Sequence, residues 1–493
     1  MTNKKSVACL VSLLIYVMPG LAQNTMSGDL TDYYFEMAGS AATGKHTPFW
    51  IVSNKYGTVP LDAETGYLRS GIFHHQSFGN GLHWNAGIDL LAVMPRYRNV
   101  YVQQLFTSLQ YKCLNLTIGS KENYYSLWSS ELSSGDLVVS KNARPIPEIN
   151  LSVPGFTSIP FTKGFIQFRG DFAVGQSFDS RYLLSTVNKN ATYVENVRWH
   201  HKSLHIRILN PKSEYPLTAV FGIRHHVQWG GTSTNPGMGK QPRSFKDLIR
   251  VIIGKSGGGD ATVSDQINVL GNHYGSYDVR FGYLNPAFDI CIYKQHYFDD
   301  TSGMELYNIQ DGLYGIQVEI PNFSPLIKIV IEFLNTRHQS GPVHYILYDH
   351  DLYAGHGGGA DNYYNNGEYT TGVSYFNRSI GSPLITSPEY NNDRSLGFKN
   401  NRVRAFHAGF QGYLSSQVSY RLLATSSEGW GTMSRPFLKK QHNFMFATKI
   451  SYCHPRLENW LFSGEVAADF GPTYGDNTGI GISIKKTGLI KSW

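Results

Sequence analysis

Past its first two dozen residues the chain has no stretch of about 18 uncharged apolar residues, which excludes a membrane protein built from helices. Strands that cross a membrane escape such a scan, so a barrel stays open. Cysteine is scarce: there are four, and one of them, Cys9, lies in an apolar leader. Cys113, Cys291 and Cys453 are scattered and odd in number, which is no disulfide framework. They read as small packing residues facing lipid or a neighbouring strand. Clusters of Lys and Arg are missing, and a formal charge of +7 is mild for this length, so nucleic acid is not a partner. Serine hydrolases hold their nucleophile at a sharp strand-to-helix elbow, and no such elbow is read here. A G-x-G-x-x-G phosphate loop is also missing.

What is present begins with export. Lys4 and Lys5 precede an uncharged, mostly apolar run from Ser6 to Met18, and Pro19, Gly20, Leu21 and Ala22 give a small-x-small end. Residues 1–22 therefore read as a signal peptide cleaved after Ala22, and 23–493 as a single domain with no composition break. Cys9 lies inside the apolar run, so lipoprotein processing is not expected. Aromatic residues make up 14% of the chain, with 32 Tyr, and there are 50 Gly. Tyr and Trp gather at membrane interfaces, and Gly serves tight turns and strand bends.

The main pattern is alternation with period two. Ile166, Phe168, Phe172 and Val174 share one face, against Gln167, Arg169 and Asp171. The same reading applies at Tyr33–Met37, Trp84–Met94, Val100–Ile118, Tyr277–Tyr283, Phe288–Ile292, Tyr314–Ile320, Ile327–Phe333, Val418–Ala424, Phe444–Ile450, Trp460–Val466 and Ile480–Ile484. Near Cys113 the phase slips by one, which marks a bulge or a turn. These segments predict an all-β transmembrane outer-membrane β-barrel of about 16–18 antiparallel strands, apolar outside and charged inside. Both signs of charge recur on the polar face, so ion pairs would fill the lumen as readily as water. Phe245, Leu248, Ile249 and Ile252 break the pattern at helical spacing, between an N-cap (Ser244) and a stop (Gly254). This predicts a short helix over 244–253, in a loop or in the lumen. Gly254–Asp265 and Tyr348–Tyr369 read as long polar inserts. The terminal Trp493 is only weakly placed in the alternation.

Candidate chemistry is sparse. His344, Asp349, His350, Asp351 and His356 match no metal-site spacing and read as a polar loop tip, so no metal or other cofactor is expected. Asp299 and Asp300 are adjacent, would point to opposite faces of a strand, and read as a turn of two solvated acids. Arg224, His225, His226, Gln228 and Trp229 form a compact group suited to a sugar acid: Arg pairs with a carboxylate and Trp stacks on a pyranose. An internal salt bridge and an interface Trp would read the same way. Asp361, Asn362, Tyr363, Tyr364, Asn365 and Asn366 serve sugar hydroxyls, or a rigid loop, equally well.

Seven stretches, in order, resemble the capsule assembly protein Wzi family. The sharpest is LVVSKNARPIPEI from Leu137 to Ile149, with Ser140, Asn142, Ala143, Arg144, Pro145 and Pro147 on the pattern. The others are His200-His201-Lys202, HHVQWGG from His225, NHYGSYD from Asn272, Gln310-Asp311-Gly312, DNYYNN from Asp361, and Gly381-Ser382-Pro383. The opening TPFWIVSNKYG, Thr47 to Gly57, looks like the Bacteroidetes-type branch. The resemblance implies a barrel of about eighteen strands, closed by internal and loop elements. It also implies a non-catalytic, lectin-like role at the cell outer membrane, holding capsular or extracellular polysaccharide. Arg224, His225, Gln228, Trp229, Arg144 and Asn142, with Asp361 to Asn366, are the candidate polysaccharide-binding residues. The implied partners are that polymer, outer-membrane lipid and lipopolysaccharide, and the barrel-assembly machinery, with a monomer expected. The family's N-terminal helical plug is not evident, because residues 23–60 read as strand and turn. The competing reading is a channel or exit route for polysaccharide or small solutes.

Overall fold

A computed structural model describes residues 29–94, 100–342 and 359–492. The leader, the cluster His344 to His356 and Trp493 lie outside the described residues. Eighteen strands pair into one antiparallel sheet that closes on itself. The first six are β1 (Leu30–His46), β2 (Asp62–Gly79), β3 (Leu82–Met94), β4 (Val100–Tyr111), β5 (Leu114–Ser120) and β6 (Glu148–Ser158). Next come β7 (Ile166–Gln176), β8 (Arg198–Leu209), β9 (Leu217–Trp229), β10 (Asn272–Leu284), β11 (Asp289–Phe298) and β12 (Gly312–Glu319). The last are β13 (Lys328–Asn335), β14 (Val403–Tyr413), β15 (Val418–Gly431), β16 (Pro436–Cys453), β17 (Trp460–Phe470) and β18 (Asn477–Ser492). Each strand pairs with its neighbours in sequence, and β1 pairs with both β2 and β18, which removes every sheet edge. Within lipid only a closed sheet satisfies all backbone groups.

Alternation sets the two faces. On β13, Ile329, Ile331 and Phe333 face outward, while Val330, Glu332 and Leu334 are buried in the lumen. Leu68, Ile72, Leu105, Leu116, Ile149, Leu204, Phe221, Phe281, Ile292, Ile316, Phe406 and Ile482 continue the apolar outer surface. The phase slip near Cys113 is a turn: Lys112, at φ 54°, joins β4 to β5. The predicted hairpin over 84–118 is therefore three strands. Strands β2, β6, β8, β9 and β14 have weaker alternation and were not among the segments read from sequence.

Connections differ at the two ends. Short turns, such as 80–81 and 414–417, sit at the end that carries both ends of the described chain. Barrels of this kind keep short turns in the periplasm and long loops outside. Long inserts, at 47–61, 121–147, 177–197, 230–271, 299–311 and 336–402, belong to the opposite, extracellular end. Among the described residues they contain five short α-helices: α1 (Phe49–Val52), α2 (Ser180–Thr186), α3 (Phe245–Ile253), α4 (Val263–Ile267) and α5 (Thr301–Met304). Residues 47–60, read as turn, thus contain a helical turn, and all four α1 side chains are buried. The Phe49 N–H donates to Asp469 of β17 at 2.8 Å, and the Trp50 indole donates to Thr425 of β15 at 3.2 Å. Helix α3 forms where its spacing placed it, with a reciprocal Ser244–Asp247 capping box and Gly254 left-handed at φ 64°. It does not enter the lumen. Val251 packs on Val227 and Trp229, which share the outward face of β9 with Phe221 and Ile223. Asp299 and Asp300 follow β11, but Asp300 is not a free acid: it caps α5, accepting from Ser302 and Gly303.

Candidate functional site

The lumen is packed by three inserts, 47–61, 121–147 and 359–402. Leu132, Leu137, Val138, Tyr363, Tyr364, Val373, Ile385 and Phe398 join one buried cluster with the lumenal side chains of the wall. Polar wall residues pin this plug. Glu332 of β13 accepts from Ser133 Oγ (2.7 Å), Ser134 N (2.7 Å), Ser134 Oγ (2.5 Å) and Tyr293 OH (2.6 Å). Gln295 accepts from Leu137 N at 2.7 Å, Gln317 from Ser129 N at 2.9 Å, and His407 bonds Leu132 O at 2.7 Å. An ion-pair chain runs from Lys141 through Glu131, Arg421 and Glu465 to Lys55, with steps of 2.9, 3.6, 3.2 and 3.1 Å. Lys141 holds the Glu131 carboxyl well below the ordinary range. Burial pulls the Lys55 ammonium down to about 8, and Glu465 works against that fall. A remaining lumenal cavity, lined by Glu36, Lys55, Tyr67, Lys449 and Glu465, holds about 100 Å³. That is below the usual size of a ligand pocket.

The structure puts the candidate residues inside this arrangement. Arg224 projects from β9 into the lumen and pairs with Asp136 at 2.5 Å, both side chains buried. Asp136 also accepts from Val138 N (2.7 Å) and Val139 N (2.9 Å), and Ser126 donates to it. The pair is the anchor of 121–147, since a buried charge needs its partner and its hydrogen bonds. Trp229 is buried between β9 and α3, with the Arg198 guanidinium 5.1 Å from its ring. His225, half-buried on the outward face, bonds His273 at 2.8 Å. An amide ladder joins three of the sequence motifs: Asn366 donates to Asn272 (3.2 Å), Asn272 to Gln228 (2.7 Å), and Gln228 to Gly372 O (2.9 Å). Tyr363 donates to Asp311 at 3.1 Å, and Tyr364 to Leu137 O. Asp361 is buried and accepts from Ser340 at 2.7 Å. Ser140 donates to Gly381 O (2.7 Å), and Asn142 to Ser379 O (3.1 Å). Arg144 is half-buried, its guanidinium 4.3 Å from the Tyr101 ring and 4.9 Å from that of Phe376.

Solvent reaches few of these groups. Asn362 is exposed, and Asn365, Asn366 and Arg144 are half-buried. Sequence reasoning gave no partner to Asp136, Glu332 or Asp311, each of which binds a group in another insert or strand. Nothing local in the sequence marks such pairings. It also missed Asp265 of α4, whose carboxyl is pushed up to about 7 by burial and by Glu368 of the neighbouring insert. The letters G-x-S-x-G do occur, at Gly254 to Gly258, but Ser256 is exposed and follows a helix, so the strand-to-helix elbow is not formed. Among the described residues no group of three His, Cys, Asp or Glu side chains is placed to hold a metal.

A closed 18-stranded barrel, apolar outside and packed inside by its own inserts, defines a plugged outer-membrane barrel and not an open porin. Within that class the chain belongs to the capsule assembly protein Wzi family, whose profile matches residues 39–389. Among solved structures it is similar to Wzi of Escherichia coli, described as an outer-membrane protein involved in group 1 capsule assembly and a carbohydrate-binding β-barrel. The identity is 12%, over 98% of this chain and 89% of that one, with a TM-score of 0.58, which establishes the shared fold. OmpT of Vibrio cholerae (7% identity, 94% and 99% covered, TM-score 0.39) and OccK2 of Pseudomonas aeruginosa (8%, 94% and 98%, 0.38) resemble it too weakly to argue from. A comparison with curated proteins gives no match. The protein is an outer-membrane barrel of a capsule assembly family.

Proposed function

We propose that the chain binds capsular or extracellular polysaccharide at its extracellular end and holds it on the cell, without catalysis. The observation that carries this reading is the packed lumen. Leu132, Leu137, Ser134 and Tyr363 are fully buried where a conduit would need water. A barrel plugged by its own extracellular inserts offers a rigid polar surface in place of a pore. The residues assigned to the polymer are the accessible amides Asn362, Asn365 and Asn366, with Arg144. Arg224, Gln228, Trp229, Tyr363 and Tyr364 act behind them, holding the inserts in place. The carbohydrate binding attributed to the Escherichia coli protein agrees with this reading.

The direct experiment deletes the gene and measures cell-bound and released polymer. Unchanged total polymer that shifts to the medium is the expected result. Polymer trapped inside the cell would favour an export route instead. Purified protein should bind the polymer saturably, and replacing Asn362, Asn365 and Asn366 together with Ala should weaken binding at least tenfold. Unaltered binding would sink the site assignment. In planar bilayers the intact protein should be silent, and steady conductance would revive the channel reading.

A further inference from the structure

The outer wall changes chemistry at the extracellular ends of β13 to β16. Lower down it is apolar: Ile331, Phe333, Phe406, Phe444 and Phe446 face outward, and the rings of Phe333 and Phe406 are 4.9 Å apart. Two residues higher on the same faces it is basic. Arg404 stands above Phe406 on β14, and His442 above Phe444 on β16. Trp430 is the centre of the group, with the guanidinium carbons of Arg337 and Arg404 at 4.8 and 5.7 Å from its ring. Arg402 Nε donates to the backbone oxygen of Arg337 at 3.2 Å. Glu428 takes Arg404 Nε at 2.8 Å and Lys440 Nζ at 2.8 Å, and His442 lies 3.3 Å away. Behind Arg402, Asp311 is buried and committed to Asn335, His338, Gln339 and Tyr363. Among the described residues, Arg337, Arg402, Arg404 and Lys440 therefore meet one carboxylate on the outer wall, that of Glu428. Cations gathered so closely repel one another until an anion joins them.

The height of this group identifies the anion. Tyr420 and Trp430 share the outward face of β15, ten residues apart. At about 3.4 Å per residue and a tilt of about 40° they stand about 26 Å apart along the membrane normal, the height of the apolar band between aromatic girdles. The basic group is thus level with the outer-leaflet headgroups and continuous with the acyl-facing wall. An acidic polymer held above the plug would not meet a site that opens sideways into lipid.

We propose that Arg337, Arg402, Arg404 and Lys440, around Trp430, bind the phosphorylated headgroup of an outer-leaflet glycolipid, whose acyl chains lie along Phe333, Phe406 and Phe444. Arginine forks fit phosphate oxygens, and an ammonium adds a point charge. This proposal needs only the barrel in its membrane and does not depend on the carbohydrate reading above.

The test is native mass spectrometry of the full-length protein in detergent. The probes are lipid A with two phosphates, the same lipid A stripped of both, inorganic phosphate, and a soluble acidic polysaccharide. A variant carrying Arg337→Gln, Arg402→Gln and Lys440→Gln keeps the Arg404–Glu428 pair. It should lose at least tenfold in affinity for the phosphorylated lipid and nothing for the stripped one. If the triple variant fails the heat-modifiable gel shift of a folded barrel, Lys440→Ala alone should lower affinity about threefold. Equal binding by variant and wild type overturns the proposal, as does equal binding of the two lipids. Displacement of the lipid by inorganic phosphate at matched concentration would make this a free-phosphate site, and displacement by the polymer a glycan site. Either result overturns it.

Discussion

At the scale of single residues, burial decides what a charge is worth. Arg224 and Asp136 are both out of water, so Arg224→Ala leaves an uncompensated carboxylate in the plug, and the expected loss is about 3–5 kcal/mol. Lys440 stands half-exposed on Glu428, and Lys440→Ala should cost less than about 1 kcal/mol. Urea unfolding of both variants from vesicles checks the contrast, and equal losses would contradict it. Asp265 gives a pH dependence. It accepts from Gly271 N at 3.1 Å and faces Glu368 across two inserts. Its folded value, about 7, lies above its ordinary 3.8. The folded chain therefore keeps a proton that the unfolded chain has lost between those values. The stabilisation is fully present below the ordinary value and fades as pH rises to about 7. Amides of 255–271, corrected for intrinsic rates, should exchange faster at pH 8 than at pH 5, and Asp265→Asn should flatten that difference. A flat wild-type response would remove the linkage.

At the scale of elements, the inserts and the wall do different work. The strands close without help from 121–147, because their ladder bonds are all between neighbours. Replacing 122–146 by a short Gly/Ser linker should leave a folded barrel and strip Glu332, Arg224, Gln295 and His407 of their plug partners. Conductance in planar bilayers is the expected outcome, and a folded but silent variant would show that 47–61 and 359–402 suffice to seal it. Helix α3 was legible because caps and apolar spacing are local. Its seat on the outward face of β9 was not legible, since a helical stripe says only that something is covered. The weakly alternating strands have a similar cause. On β8 the outward positions near the extracellular end are His200 and Lys202, with Lys202 donating to Ile252 O of α3. Covered by protein instead of lipid, they need not be apolar. On β2 His74 and Gln76 break the outward run of Leu68 and Ile72.

At the scale of the whole molecule, the motifs that carried the family resemblance turn out to meet. The stretches at 137–149, 225–231, 272–278, 310–312, 361–366 and 381–383 bond one another within or around the plug. From sequence, the Asn and Tyr side chains of 361–366 suit sugar hydroxyls or a rigid loop equally. The same donors and acceptors satisfy buried backbone equally well, and composition does not separate the two uses.

The sequence by itself determined the two-residue alternation, hence the barrel, its lipid face and a strand number near eighteen. It also determined the helix at 244–253 and the family. These are local properties, set by side-chain direction and by caps within a few residues. Only the tertiary structure decided that the lumen is packed, that Arg224 meets Asp136, and that five aromatic and basic residues, three on neighbouring strands and two at the ends of the 336–402 insert, gather at one level of the outer wall. Those contacts join residues tens to hundreds of positions apart. They follow from strand register and barrel closure, which the order of residues along one strand does not contain.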